Sequence, residues 1–372
     1  MGDSSISGGG SSVRDDLVAL LRRLSEARGP SGYERAVADI VAGEFAPLVD
    51  EVRRDALGNI MGLKRGAPGE WSLLLAAHVD EVGLMVSRIR DGFLQWAPIG
   101  SLDRRTLLGQ EVVVRGRRDL SGVVGSKPPH VLSAEDRTRV PPADEMLIDV
   151  GLLPEEVEAL VQVGDPITLR GSFRELREGY VSGRALDDRC GVAAIIDALK
   201  RLGGRRHTWN VYAMATVQEE VGLRGSGVGA YGLGANLAVA VDATFGRAPG
   251  VTETSAYPLG EGPTIAWGPN FHPQLFHRLV GVAEAEEIPY QVEPIPGRSG
   301  TDAWAIQVSR EGVPCALVSP PLRNMHTPVE TVCVQDVERT AQLLAAFAGG
   351  LDGSFAEAMG LGTEGEGGHA TR

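Results

Sequence analysis

The chain has 372 residues, 43% of them hydrophobic and 23% charged, with a formal net charge of −13. This is the make-up of a folded protein of about two domains, not of a disordered or fibrous chain. The acidic balance lacks the basic face that phosphate recognition needs, which argues against nucleic acid as a partner, and no run reaches the ~18 apolar residues of a membrane span.

The chain opens on a Gly/Ser-rich segment, residues 1–12, with no apolar leader, and closes on a polar one, residues 353–372, ending GLGTEGEGGHATR. Both are expected to be largely disordered tails. Cys190, Cys315 and Cys333 lie far apart without C-x-x-C spacing, so neither a disulfide framework nor a cysteine zinc site is expected, and a reducing cytoplasm is the default location.

From Val13 to Phe45, Leu17, Leu20, Leu21 and Leu24, then Val37, Ile40 and Val41, recur at helical spacing around a Gly29-Pro30-Ser31-Gly32 turn, which predicts two helices. Trp71 to His78, Trp209 to Val217 and Ala235 to Val241 are short, nearly continuous apolar runs ending in polar residues, the pattern of strands buried on both faces. Helical stretches at Cys190 to Leu202 and Pro273 to Glu287 alternate with them. The outer parts of the chain, 13–84 and 173–352, therefore read as an α/β domain, a mixed central sheet flanked by helices. Between them, residues 85–172 carry short strand-like runs broken by Gly and Pro, with one helix at Pro154 to Gln162; this reads as an inserted β-rich domain.

Several polar clusters follow the buried runs. In His78-Val79-Asp80-Glu81, residues two apart in extended chain face the same side, so Asp80 is placed to orient the His78 imidazole for a metal; read alone, His78 is equally a solvated turn histidine. In Asp187-Asp188, just before the 190–202 helix, either aspartate can be a helix cap, or Asp187 can bridge two cations while Asp188 caps. Glu219-Glu220 follows the apolar run to Val217; neighbouring carboxylates point opposite ways in extended chain, so one can bind a metal and the other act as general base, unless both are simply solvated. Asp242 ends another strand and His326 lies in Arg323-Asn324-Met325-His326. His78, Asp187, Glu220, Asp242 and His326 together form a mixed imidazole and carboxylate set that suits zinc, cobalt or manganese better than calcium or magnesium.

Other signals carry less. Gly227 to Gly232 matches G-x-G-x-x-G, but it sits too far from its strand for a dinucleotide fingerprint and reads as loop packing. Ser226 and Ser299 do not complete the G-x-S-x-G elbow of a serine hydrolase. His130, His207, His272, His277 and His369 have no ligand-like company. Gly297 to Asp302 reads on its own as a loop with a helix cap.

The strings HVDEVG, ALDDRCG, TVQEEVGLRGS, GTDA and RNMHTPVE, in this order and over essentially Val13 to Gly350, resemble the M42 family of metallo-aminopeptidases, which form tetrahedral particles. The resemblance implies that Asp187 bridges two metals, Zn²⁺ or Co²⁺, with His78 and Asp242 on one and Glu220 and His326 on the other. It further implies that Glu219 is the general base and Asp80 the catalytic aspartate behind the histidine, and that the segment containing Gly300, Thr301 and Asp302 borders the substrate pocket. The implied fold has a PDZ-like β-barrel inserted for assembly, the implied oligomer is a dimer or dodecamer, and the implied substrates are peptides with a free N-terminus. Ser226, where the family often has a small apolar residue, and the longer polar tails depart from the pattern. A metal-dependent deacylase or glycan hydrolase on the same scaffold is the alternative.

Overall fold

The computed structural model describes residues 13–251 and 255–361. Residues 1–12, 362–372 and the expectation for His369 lie outside the described residues.

An eight-stranded sheet forms the centre, in the order Glu51–Arg54, Ile60–Lys64, Asn210–Thr216, Ser72–His78, Leu237–Val241, Cys315–Ser319, Thr264–Trp267 and Gln291–Pro294. The four middle strands are mutually parallel, and antiparallel neighbours on both sides make the sheet mixed. Side chains alternate between faces along a strand, and both faces here are covered. Leu73, Leu75 and Ala77 enter one core cluster while Leu74 and Ala76 enter another. That is why these strands read as unbroken apolar runs.

The larger cluster is closed by the helices Val13–Glu26, Arg35–Phe45, Leu186–Leu202, Pro273–Ala285 and Val334–Gly349. Arg224–Leu233 and Asp302–Ile306 cover the opposite face. Leu186–Leu202 is buried along nearly its whole length, because it lies between the sheet and Val334–Gly349. The G-x-G-x-x-G string is not a loop but part of the helix Arg224–Leu233. Gly229 in it serves close packing: a Cβ there would come within 2.3 Å of Met214 Sδ.

Residues 83–169 build a closed barrel, with strands in the order Gly83–Arg90, Phe93–Ile99, Leu147–Asp149, Asp119–Gly125, Glu111–Arg115 and Pro166–Leu169. It has its own core, with Leu84, Val86, Trp96, Val112, Val114, Ile148 and Ile167 buried within it. The helix Pro154–Leu160 closes one side through Val157.

Two features were absent from the sequence reading. A second sheet, Arg174–Glu175, Tyr180–Gly183, Glu330–Cys333, Pro321–Arg323 and Thr244–Phe245, is made of strands too short to show a period. Within the segment expected to be a largely disordered tail from residue 353, Gly353–Ala358 is instead a helix capped by the Asp352 side chain on Phe355 N–H at 2.9 Å. Phe355 meets Phe347 edge to face with ring centroids 6.5 Å apart; burial of these rings outweighs the polar composition of the tail around them. Among the described residues no helix is long and apolar enough to cross a membrane.

Candidate metal centre and active site

Parallel strands bring their C-terminal ends to one edge of the sheet, where open α/β folds carry their sites. Thr216 is level with His78 and Val241 with Val318, so the segments after them converge. His78 ends its strand, Asp242 follows the next, and Glu219 and Glu220 lie in the turn after Asn210–Thr216. Asp187 comes from the start of Leu186–Leu202, whose first residues are not helical in backbone. His326 arrives on the loop between Pro321–Arg323 and Glu330–Cys333.

These side chains form two overlapping groups. In each of His78, Asp187, Asp242 and Asp187, Glu220, His326, one ligand atom per residue lies within 4.8 Å of the others. Asp187 belongs to both, with Oδ1 3.4 Å from His78 Nε2 and Oδ2 3.5 Å from His326 Nε2. His78 Nε2 is 3.9 Å from Asp242 Oδ1, and His326 Nε2 is 3.1 Å from Glu220 Oε1. Glu219 joins neither group but lines the same cavity, of about 280 Å³, beside His78, Asp187, Glu220, Asp242 and His326.

Backbone carbonyls orient both imidazoles. His78 Nδ1 lies 3.2 Å from Asp80 O, and His326 Nδ1 lies 2.7 Å from Ser101 O. A carbonyl only accepts, so in each ring Nδ1 carries the hydrogen and Nε2 is turned to the carboxylates. Ser101, on the segment leaving the barrel strand Phe93–Ile99, had no signal in the sequence.

A donor set of two imidazoles and three carboxylates, one of them shared, is the kind that binds borderline divalent cations. The electrostatics agree with that fit. Five carboxylates, Asp187, Glu219, Glu220, Asp242 and Glu293, line the cavity with two histidines, and no Lys or Arg lines it among the described residues. Asp187 Oδ1 is buried without a hydrogen-bond partner, which is costly unless another cationic group answers it. Burial pushes the Glu219 carboxyl up to about 9, with the His78 charge opposing, and raises Glu220 and Asp242 as well. Burial works to lower His326, but hydrogen bonds to Asp187 and Glu220 outweigh it and lift the ring to about 11. His78 is likewise raised by Asp187 and Asp80 against its burial, and the two histidines hold Asp187 below the usual carboxylate range.

A shell of buried carboxylates fixes the segments that carry these groups. Asp80 accepts Glu219 N–H on Oδ1 at 3.0 Å, and Glu220 N–H and Ser31 O–H on Oδ2 at 3.2 and 2.6 Å. Glu330 accepts Asp187 N–H at 3.0 Å and His326 N–H at 2.7 Å. Glu34 accepts Gln218 N–H at 3.1 Å. Glu81 is buried between Arg184 and Arg189, and these guanidiniums also donate to the carbonyls of Leu24, Glu26 and Ala27, tying the first helix to the loop after His78. Asp188 accepts Gly191 N–H at 3.2 Å, as a cap does.

Gly300 and Thr301 line the cavity. Asp302 does not: its carboxylate turns inward and accepts the Thr216 hydroxyl at 2.5 Å, and it is 1% exposed. Of the three residues expected at the pocket only Gly300 and Thr301 line it, because helix Asp302–Ile306 begins on a buried residue. Ser226 is buried too, donating to Leu223 O at 3.1 Å. The three cysteines are buried and unpaired.

Imidazoles and carboxylates converging at one edge of a mixed α/β sheet make a candidate centre for divalent cations. Comparison with known proteins makes this specific. The family model of M42 glutamyl aminopeptidase matches residues 58–343. The lysyl aminopeptidase of Pyrococcus furiosus is 37% identical over 336 residues, 88% of this chain and 95% of that protein. The structure of an aminopeptidase from the archaeon Desulfurococcus kamchatkensis superposes with a TM-score of 0.88 at 38% identity, covering 95% of this chain and 99% of that one. That of the Pyrococcus horikoshii TET1 peptidase, described as assembling into a tetrahedron or a large octahedral shell, does so at 0.80 and 32%, covering 90% and 100%. The chain belongs to the M42 family of metallopeptidases and is an aminopeptidase, a hydrolase acting on peptides.

Proposed function

We propose that the protein holds two divalent cations, zinc or cobalt, and uses them to remove the N-terminal residue from peptides. The observation that carries this reading is the placement of Asp187, one oxygen toward each histidine. Asp187 would be the shared ligand, with His78 and Asp242 completing one site and Glu220 and His326 the other. Bound cations of this kind supply Lewis acidity for amide hydrolysis.

The chain's own residues do the rest. Glu219 stands in the cavity outside both ligand groups and acts as general base: it takes the proton of the attacking water and returns it to the leaving amine. Asp80 positions Glu219, Glu220 and His78 at once. At about 280 Å³ the cavity is at the small end of ligand pockets, which suits one terminal residue, and its carboxylate walls favour a free α-amine over an acylated one. Gly300 and Thr301 form part of the wall that meets the substrate.

We assign the barrel to assembly of a homo-oligomer, a dimer or a dodecamer. Support comes from the shells described for the Pyrococcus horikoshii relative. The test of exo-cleavage is a matched pair of leucyl p-nitroanilides, one with a free amine and one N-acetylated. Hydrolysis of the free-amine substrate alone supports the reading. Cleavage of the acetylated one, or of an acylated amine or glycan in its place, would overturn it in favour of a deacylase or glycan hydrolase.

A further inference from the structure

The relatives' names point to opposite substrates, lysyl in one and glutamyl in the family description, so the choice has to be read from the pocket wall. Glu293, on the sheet-edge strand Gln291–Pro294, lines the same cavity as the candidate centre. Its Oε1 accepts the Thr244 hydroxyl at 2.7 Å and its Oε2 the Thr264 hydroxyl at 2.6 Å. Each oxygen is thus fixed in place yet keeps a further lone pair. No Lys or Arg pairs with Glu293 among the described residues.

Besides the candidate metal-binding groups, the same lining holds apolar and weakly polar residues. Ala243, Phe245 and Leu317 supply hydrocarbon surface, with Phe245 57% exposed at the rim, and Ser299, Thr301 and Ser319 supply hydroxyls. A cavity lining that combines hydrocarbon surface with a rigidly held carboxylate free of any Lys or Arg partner among the described residues matches a side chain with a long hydrocarbon stem and a cationic end. A glutamyl side chain would instead put a second carboxylate into the same half-buried space, which is repulsive.

Resting on the aminopeptidase reading, we propose that Glu293 is the residue that selects the N-terminal side chain, and that the pocket takes peptides beginning with lysine or arginine. A charge-assisted hydrogen bond of this kind corresponds to about 10- to 100-fold in affinity.

The test uses the full chain reconstituted with Zn²⁺ or Co²⁺. Lysyl, arginyl, leucyl and glutamyl p-nitroanilides are compared by kcat/KM for the parent and for Glu293→Gln. Calorimetry on the parent measures Kd for two non-hydrolysable amino alcohols, lysinol and norleucinol, which differ by the terminal ammonium. The expected result is a lysyl and arginyl preference, lysinol bound about 10- to 100-fold more tightly than norleucinol, and a lysyl-to-leucyl ratio that falls by a similar factor in Glu293→Gln. A leucyl or glutamyl preference, equal Kd values, or an unchanged ratio in the variant would overturn selection by Glu293 while leaving the aminopeptidase intact. No cleavage of any of the four substrates would overturn the aminopeptidase reading itself. The calorimetric comparison stands even if the variant fails to fold.

Discussion

Asp80 Oδ1 accepts the backbone N–H of Glu219 at 3.0 Å while lying 3.5 Å from His78 Nδ1. One buried oxygen thus links the histidine end of one strand to the glutamate turn after its neighbour. Asp80→Asn cannot keep all these contacts, because one oxygen becomes an NH₂ that faces donors. Activity is expected to fall about 10- to 100-fold, the range seen when a group orienting a ligand is removed. Steady-state kinetics alongside metal analysis checks this; an unaffected kcat would remove Asp80 from the positioning role.

Glu219→Gln separates the base from the ligands. Glu219 lies outside both groups that converge within 4.8 Å, so bound metal should remain unchanged. Turnover should drop about 10²- to 10⁴-fold, the usual contribution of general acid–base catalysis. Elemental analysis and kcat measured on the same preparation distinguish this from Glu220→Gln, which should lose metal as well.

How far this site was readable beforehand depends on where its signals reside. His78, Glu219, Glu220 and Asp242 stood out because each follows an apolar run too continuous to be anything but a buried strand, and strand ends in such sheets carry chemistry. The residues around them did not. Glu330 ends the same RNMHTPVE string that contains His326, yet its role is to accept two backbone N–H groups, one of them 143 residues away. Ser101 acts through its carbonyl, which no side-chain type announces. Glu81 is separated by more than a hundred residues from both its arginines. The edge strand Glu51–Arg54 is mostly charged and exposed, the usual protection of a sheet edge, which hides it from a hydrophobic pattern. Asp302 reads on its own as part of a loop with a helix cap, and its place at the pocket was implied only by the family resemblance; its carboxylate is turned inward to Thr216.

Glu330→Gln tests the backbone scaffold under the ligands. With one acceptor oxygen left for two N–H donors, the segments carrying Asp187 and His326 loosen together. Metal affinity, measured by competition with a chelator, is expected to weaken about 10- to 100-fold. Much of the activity should return at saturating metal. Unchanged affinity would show that Glu330 serves only the fold.

The Glu81 ion pairs set an acid limit on stability. Burial opposes ionisation, but Arg184 and Arg189 hold the Glu81 carboxyl below its ordinary 4.5. A depressed folded pKa contributes stability that is complete above about pH 4.5 and is lost as pH falls through the folded value. Glu81→Gln should therefore be less stable than the parent by about 3 kcal/mol at neutral pH. That gap should narrow below pH 4.5 as the parent's own carboxyl is protonated. Denaturant titrations from pH 7 to 3 measure it; a gap constant across the series would mean that the pairs contribute no charge-dependent stability.

The most direct measurement of the central reading is a metal titration. Protein stripped by a chelator is titrated with Zn²⁺, and separately with Co²⁺, while hydrolysis of a free-amine aminoacyl p-nitroanilide is followed. With Asp187 shared between two ligand groups, stripped protein should be inactive, and activity should return and level off at two equivalents of metal per chain. Activity that survives stripping, or that is complete at one equivalent, would contradict a two-cation centre built on Asp187.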